Sequence, residues 1–143
     1  MMNDIAQAGG LWFVLTIAHF IFDWVPQTHA DATAKSKNWR IRGLHVTMYT
    51  TLMVFPFLCI FWHHQHNLPV FLSYFIISFG VTWMTHFIGD SYIIVFAWAK
   101  YIRKIPPELQ TPKEPLTLIL AIVIDQLWHI LWLGVPVALA VWG

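Results

Sequence analysis

A chain of 143 residues fits one domain, and with 58% hydrophobic and 10% charged side chains it carries more apolar surface than one soluble core could hide. Its formal charge of +1 excludes an electrostatic appetite for nucleic acid, and its one cysteine, Cys59, excludes an internal disulfide. The bilayer is the expected solvent, and the expected fold class is an all-α integral membrane protein: a four-helix transmembrane bundle forming a single domain over residues 1–143.

Span one is expected over about residues 5–25. Its opening, MMNDIAQAGG, lacks the basic n-region of a signal peptide, so the segment is expected to remain in the mature chain. The span contains HFIFD, placing His19 and Asp23 one helical turn apart, and Gln27 follows one further turn on, beyond Pro26. The next connection holds Lys35, Lys37, Arg40 and Arg42. Thr28–Arg42 reads either as an interfacial amphipathic helix with Trp39 at headgroup level or as an irregular loop. Span two, about residues 44–62, begins with His45. The turn after it, HHQHNLP, has no Lys or Arg; His63, His64 and His66 look metal-like in composition but are expected to be solvated.

Span three, about residues 68–99, contains HFIGD, with His86 and Asp90 again one turn apart. It exceeds the ~20 residues needed to cross ~30 Å of hydrocarbon, so it should tilt, break or project near Ser91–Ala99. Lys100, Arg103, Lys104 and Lys113 fill the second basic connection. Span four, about residues 116–142, reads DQLWH, giving Asp125, Gln126 and His129. By the positive-inside rule both basic connections face the cytoplasm, and both termini lie on the non-cytoplasmic side of what is expected to be a bacterial inner membrane. Tryptophans at the predicted interfaces, including Trp12, Trp39, Trp62, Trp98 and Trp142, read as anchoring belts.

These directions bring the motifs to one depth. Spans one and three run inward and place Asp about 6 Å nearer the cytoplasm than His; span four runs outward, and its order is reversed accordingly. His45 can close the fourth side. An isolated intramembrane His is commonly a hydrogen-bonded packing residue, whereas Asp at mid-membrane costs about 3 kcal/mol and usually marks function. Clustered carboxylates repel and take up protons unless a cation offsets them, which favours a metal over a proton or ion pathway and over a structural polar network. The candidate ligands are His19, Asp23, His45, His86, Asp90, Asp125 and His129, for one or two divalent ions. Zinc is the leading choice; iron and manganese suit the same imidazole and carboxylate donors. Gln27, Lys35 and Gln126 are candidates to orient ligands or touch substrate, Gln126 pointing about 100° from Asp125 and so toward another helix.

His19, Asp23 and Gln27, with Lys35, His45, His86, Asp90 and the DQLWH of span four, resemble a group of small bacterial and phage membrane proteins catalogued as a domain of unknown function. Their pattern runs HxxxDFxxQ, a Lys, a His, then HxxxD and DQxxH; here Trp24 stands in the aromatic position, and Lys35 or Lys37 matches the lysine. The resemblance spans nearly the whole chain, and the group is broadly similar to membrane proteins labelled metal-dependent hydrolases. It implies a four-helix membrane fold with a polar centre.

The leading expectation is a membrane-embedded metal-dependent hydrolase acting on an ester, phosphoester or amide at the cytoplasmic surface, with Asp23 or Asp90 as proton acceptor and Lys35, Arg40 and Arg42 toward an anionic headgroup. Expected partners are membrane lipid, a lipid-like or anionic substrate and, compatibly, further copies of the chain. The alternatives are a non-enzymatic metal or proton-handling transporter or complex component, disfavoured by the apolar outer halves such as Leu11–Ala18, and a di-iron lipid oxidoreductase, for which four histidines are few.

Overall fold

The computed structural model describes residues 2–28, 34–64, 67–102, 104 and 115–143. Helix α1 covers Met2–Trp24, α2 Trp39–His64, α3 Leu68–Gly89, the short α4 Ile93–Ala97, α5 Pro115–Trp132 and α6 Gly134–Trp142. A π-helical turn, Trp98–Ile102, extends α4. Among the described residues there is no strand. Four stretches are long and apolar enough to cross a membrane: Asn3–Trp24, Trp39–His63, Leu68–Gly89 and, across α5 and α6 together, Ile119–Trp142.

The boundaries have local causes. Asn38 caps α2, its Oδ1 accepting from the Arg40 and Ile41 amides at 3.0 and 3.4 Å. Trp39, Arg40 and Arg42 therefore belong to the first turns of α2 rather than to a separate interfacial helix. Residues 29–33 of that expected segment lie outside the described residues, as do His66, the His64 side chain, Arg103 and Lys113. Asn67 caps α3 through the Val70 amide, with Pro69 in the first turn, where its missing N–H is harmless. The seam between α5 and α6 follows from Pro136, which has no N–H to bond the Trp132 carbonyl and whose ring crowds it.

The long third span breaks. Asp90 terminates α3, Ser91 and Tyr92 donate back to Ile88 and Gly89, and Tyr92 adopts a left-handed φ of 59° before α4 begins. That turn leaves Asp90 at the helix end, where it caps α3.

Helix α2 packs most extensively on α3, α1 on α2 and α6, and α3 on both α5 and α6, which closes the bundle and sets α1 and α3 on a diagonal. Each spanning helix buries one seam at spacings of four residues, or seven between Phe71 and Ser78: Leu15, His19 and Asp23; His45, Tyr49, Met53, Phe57 and Phe61; Phe71, Ser78, Thr82, His86 and Asp90; Asp125, His129, Leu133 and Val137. Every seam grades in the same direction, apolar near the middle turn and ionisable near the basic connections. The opposite faces expose large apolar side chains such as Phe13, Phe55, Ile76 and Leu131, a surface suited to lipid and not to water.

Candidate metal centre

At the ionisable end of the seams, Asp23, His45 and His86 bring one donor atom each within 4.8 Å of one another, and Asp90 approaches the same two imidazoles. Asp23 Oδ1 lies 2.9 Å from His45 Nε2 and 3.4 Å from His86 Nε2. The two imidazole Nε2 atoms are 3.4 Å apart, and Asp90 Oδ2 lies 3.4 Å from His45 Nε2 and 3.5 Å from His86 Nε2. Four donors at zinc-ligand distances of about 2.0–2.2 Å in a tetrahedron would be separated by about 3.3–3.6 Å. Four of these five separations lie within that interval and the Asp23–His45 edge is shorter; the sixth edge of such a tetrahedron, Asp23 to Asp90, is not among these contacts.

All four residues are buried, so their charges have no water to fall back on. A positive group already lies beside them. Lys35, carried on the turn before α2, sets its Nζ 2.7 Å from Asp90 Oδ1, 3.7 Å from Asp23 Oδ1 and 3.5 Å from His45 Nε2. Burial opposes the charge of this ammonium, but Asp90 and Asp23 outweigh that and hold its pKa above the ordinary lysine value. Arg42 fixes the turn from behind, donating from Nε to the Lys35 carbonyl and from Nη2 to the Ser36 carbonyl, both at 2.9 Å, with its guanidinium over the Phe87 ring.

Of the other expected ligands, His19 stands in a second layer. His19 places Nδ1 3.0 Å from the Tyr49 hydroxyl and Nε2 3.0 Å from Gln126 Oε1. An amide oxygen only accepts, so His19 Nε2–H donates to Gln126 and Nδ1 accepts from Tyr49. Both ring nitrogens are thereby engaged away from the four donors. Gln126 in turn reaches Asp23 Oδ2 at 3.5 Å and Asp125 Oδ2 at 3.3 Å, linking α5 to α1. Gln27 lies apart from the donors, in the wall of a cleft that reaches His45.

His129 stacks on His86 at 4.1 Å between ring centroids, and His86 stacks on Tyr49 at 4.0 Å on another contact. His86, Asp90 and His129 form a second triplet of side chains able to ligate together, beside Asp23, His45 and His86. The triplets share His86, and one imidazole nitrogen has one lone pair for one ion. A second ion would therefore depend on Asp90 bridging and on His129, whose ring nitrogens are both buried without hydrogen-bond partners. Asp125 Oδ2 is 3.8 Å from His129 Nδ1, and its Oδ1 is likewise buried and unpartnered.

Backbone proximity makes this stacking feasible. A Cβ on Gly89 would come within 2.6 Å of His129 Nε2 and 2.8 Å of Trp128 Cδ1, so glycine is what lets α5 approach α3 here. The approach is fastened by Trp128 Nε1–H donating to the Thr85 carbonyl at 2.9 Å, while Trp12 Nε1–H fastens α1 to α5 at the Ile130 carbonyl. Sequence reasoning missed Tyr49 and the burial of Lys35. Tyr49 had a signal, since it follows His45 by four residues on the same face; Lys35 had none, because its place depends on how the turn folds back.

The chain matches, over residues 11–142, the family described as "Protein of unknown function (DUF3307)". No curated protein and no solved structure matches it.

Proposed function

The chain belongs to the DUF3307 family, and because that description carries no activity, we propose from the site alone that it is a membrane-embedded metal-dependent hydrolase of ester, phosphoester or amide bonds. The observation that carries this reading is the convergence of Asp23, His45, His86 and Asp90 from three helices at ligand-like separations. Zinc suits these imidazole and carboxylate donors best. The reading takes the centre to lie in the cytoplasmic half of a bacterial inner membrane with both termini outside the cytoplasm, supported by the Lys and Arg of the two basic connections.

Bound there, a divalent ion supplies a polarised substrate oxygen and an acidified water. Asp90 Oδ1 is paired with Lys35, which leaves Asp23 Oδ2, held only by the long contact from Gln126, to take the water's proton. The water oxygen bonds to the attacked carbon or phosphorus, the bond to the leaving oxygen or nitrogen breaks, and the proton on Asp23 passes to that leaving group. Lys35 Nζ stands where it can hold a developing negative oxygen.

The Lys35 ion pairs favour a second reading, a metal-free proton-handling network in which the ammonium alone balances the carboxylates. Element analysis of detergent-purified protein separates the two. The hydrolase reading expects about one equivalent of zinc, iron or manganese, lost in His86→Ala, together with hydrolysis abolished by chelation. Full-length folded protein without metal, or metal retained unchanged in His86→Ala, would reject it.

A further inference from the structure

Between the end of α1 and the first three turns of α2 lies a cleft of about 240 Å³, lined by Pro26, Gln27, Ile41, Leu44, His45 and Met48. Its outer wall is apolar and faces outward: Leu44 is 74% and Met48 40% exposed on a membrane-spanning helix. In a bilayer this mouth opens near the boundary between headgroups and acyl chains. Its inner end is polar. Gln27 Nε2 and His45 Nδ1 are buried there without hydrogen-bond partners, and His45, itself buried, presents its other nitrogen to the metal donors. One imidazole thus connects the cleft to the centre.

The walls specify a molecule with two chemistries. An apolar chain suits Ile41, Leu44 and Met48, and a hydrogen-bonding group suits Gln27 and His45. Charge selects among such groups. Neither cation lines the cleft itself: Lys35 Nζ lies behind the His45 ring, 3.5 Å from Nε2, and Arg40 is exposed beside the lining residue Ile41 on the first turn of α2. Cations and unpartnered donors favour an anionic oxygen cluster over a neutral carboxylic ester. The volume accommodates a phosphate and the first part of a chain, leaving the remainder in lipid.

We infer that the cleft admits an alkyl phosphoester from the bilayer side, seating its phosphate against Gln27 and His45 and its chain along Ile41, Leu44 and Met48. What happens to the phosphate rests on the hydrolase reading; its seating does not. Turnover requires the headgroup to move from His45 Nδ1 to the Nε2 side of the ring, where water adds to phosphorus, the bond from phosphorus to the alkoxy oxygen breaks, and the fatty alcohol leaves with the proton. A second groove of about 340 Å³, lined by Phe55, Leu58, Cys59, Trp62 and Phe71, lies at the apolar end and has no such polar terminus. It serves as a control surface.

The test measures binding of two non-hydrolysable probes, hexadecylphosphonate and methylphosphonate, to zinc-loaded protein by native mass spectrometry. Hexadecylphosphonate is expected to bind at least tenfold tighter. Met48→Trp and Leu44→Trp, which narrow the cleft from lipid-facing positions, should each weaken it at least tenfold with zinc content unchanged, whereas Phe55→Trp in the control groove should leave it unaltered. Equal affinity for the two phosphonates, or hexadecylphosphonate binding that is the same in Met48→Trp and the parent, overturns the inference. Release of phosphate from hexadecyl phosphate is scored separately. Cleft-dependent binding without release sustains the cleft and rejects the hydrolase; release indifferent to Met48→Trp sustains the hydrolase and rejects the cleft.

Discussion

The two ends of the bundle are built on the same four seams yet obey opposite rules. At the middle-turn end, Leu15, Met53, Phe57, Phe61, Leu133 and Val137 close into a buried cluster whose cohesion is packing, since lipid is as apolar as they are. At the basic end the same registers hold Asp23, His45, His86, Asp90, Asp125 and His129. Burying that many ionisable groups costs several kcal/mol per ion before compensation, and an apolar replacement of similar volume is often more stable. The first end is explained by the fold alone. The second is not explained by packing alone.

The largest break in that comparison should come from the donors themselves. His86→Ala or Asp90→Ala is expected to abolish metal retention and turnover, while Phe57→Ala at the other end lowers thermal stability and leaves metal content intact. Metal analysis beside a detergent melting curve checks both. Next is Lys35→Met, which leaves Asp23 and Asp90 without their buried ammonium. Breaking a buried pair in this way destabilises by about 3–5 kcal/mol. The metal-free protein should show that loss and the zinc-loaded protein much less, because the ion offsets the same carboxylates. An equal loss in both states would mean that lysine and ion do not compensate the same charge. Smaller again is Gly89→Ala, where the added Cβ meets His129 and Trp128 below contact distance. Displacing a supporting group typically weakens metal affinity by about 10–100-fold, and a zinc competition titration should find a value in that range with the helices intact by circular dichroism.

Much of this was legible in the sequence for physical reasons. The need to satisfy backbone groups inside lipid makes long apolar runs helical, and the all-helical class with four spanning segments follows from that. The repeated four-residue spacing of His and Asp fixes a shared helix face, so His86 and Asp90 had to be neighbours once α3 formed. Facing distances were not legible. Whether His19 points at the donors or at Gln126 depends on helix rotation by a few tens of degrees, which hydropathy does not encode. Lys35 reads both as a topology signal and as a candidate to orient ligands or touch substrate, but nothing in its spacing announces that Arg42 would clamp its turn with the ammonium buried. The break after α3 was foreseeable from length, and its left-handed residue, Tyr92, falls in the expected Ser91–Ala99 stretch.

The smallest effect asks where one end stops and the other begins. Thr16, Thr50, Thr51, Ser73 and Thr85 each return their hydroxyl to the carbonyl four residues earlier, the ordinary solution in an apolar helix. Ser78 and Thr82, both buried on the α3 seam, leave theirs unpartnered. Thr82 lines a cavity of about 10 Å³ with His86, His129 and Trp132, at the edge of the ionisable layer, whereas Ser78 lies eight residues, about 12 Å, from His86. If the apolar rule already governs at Ser78, removing an unsatisfied hydroxyl deletes a desolvation penalty, and Ser78→Ala should be neutral or stabilising by up to about 1 kcal/mol. Thr50→Val, which deletes a satisfied hydroxyl, should be neutral or slightly destabilising. Paired melting curves in one detergent compare them directly. A clear loss in Ser78→Ala would show that the hydroxyl is needed, moving the boundary of the polar end two turns toward the opposite membrane surface and reviving a path across the bundle.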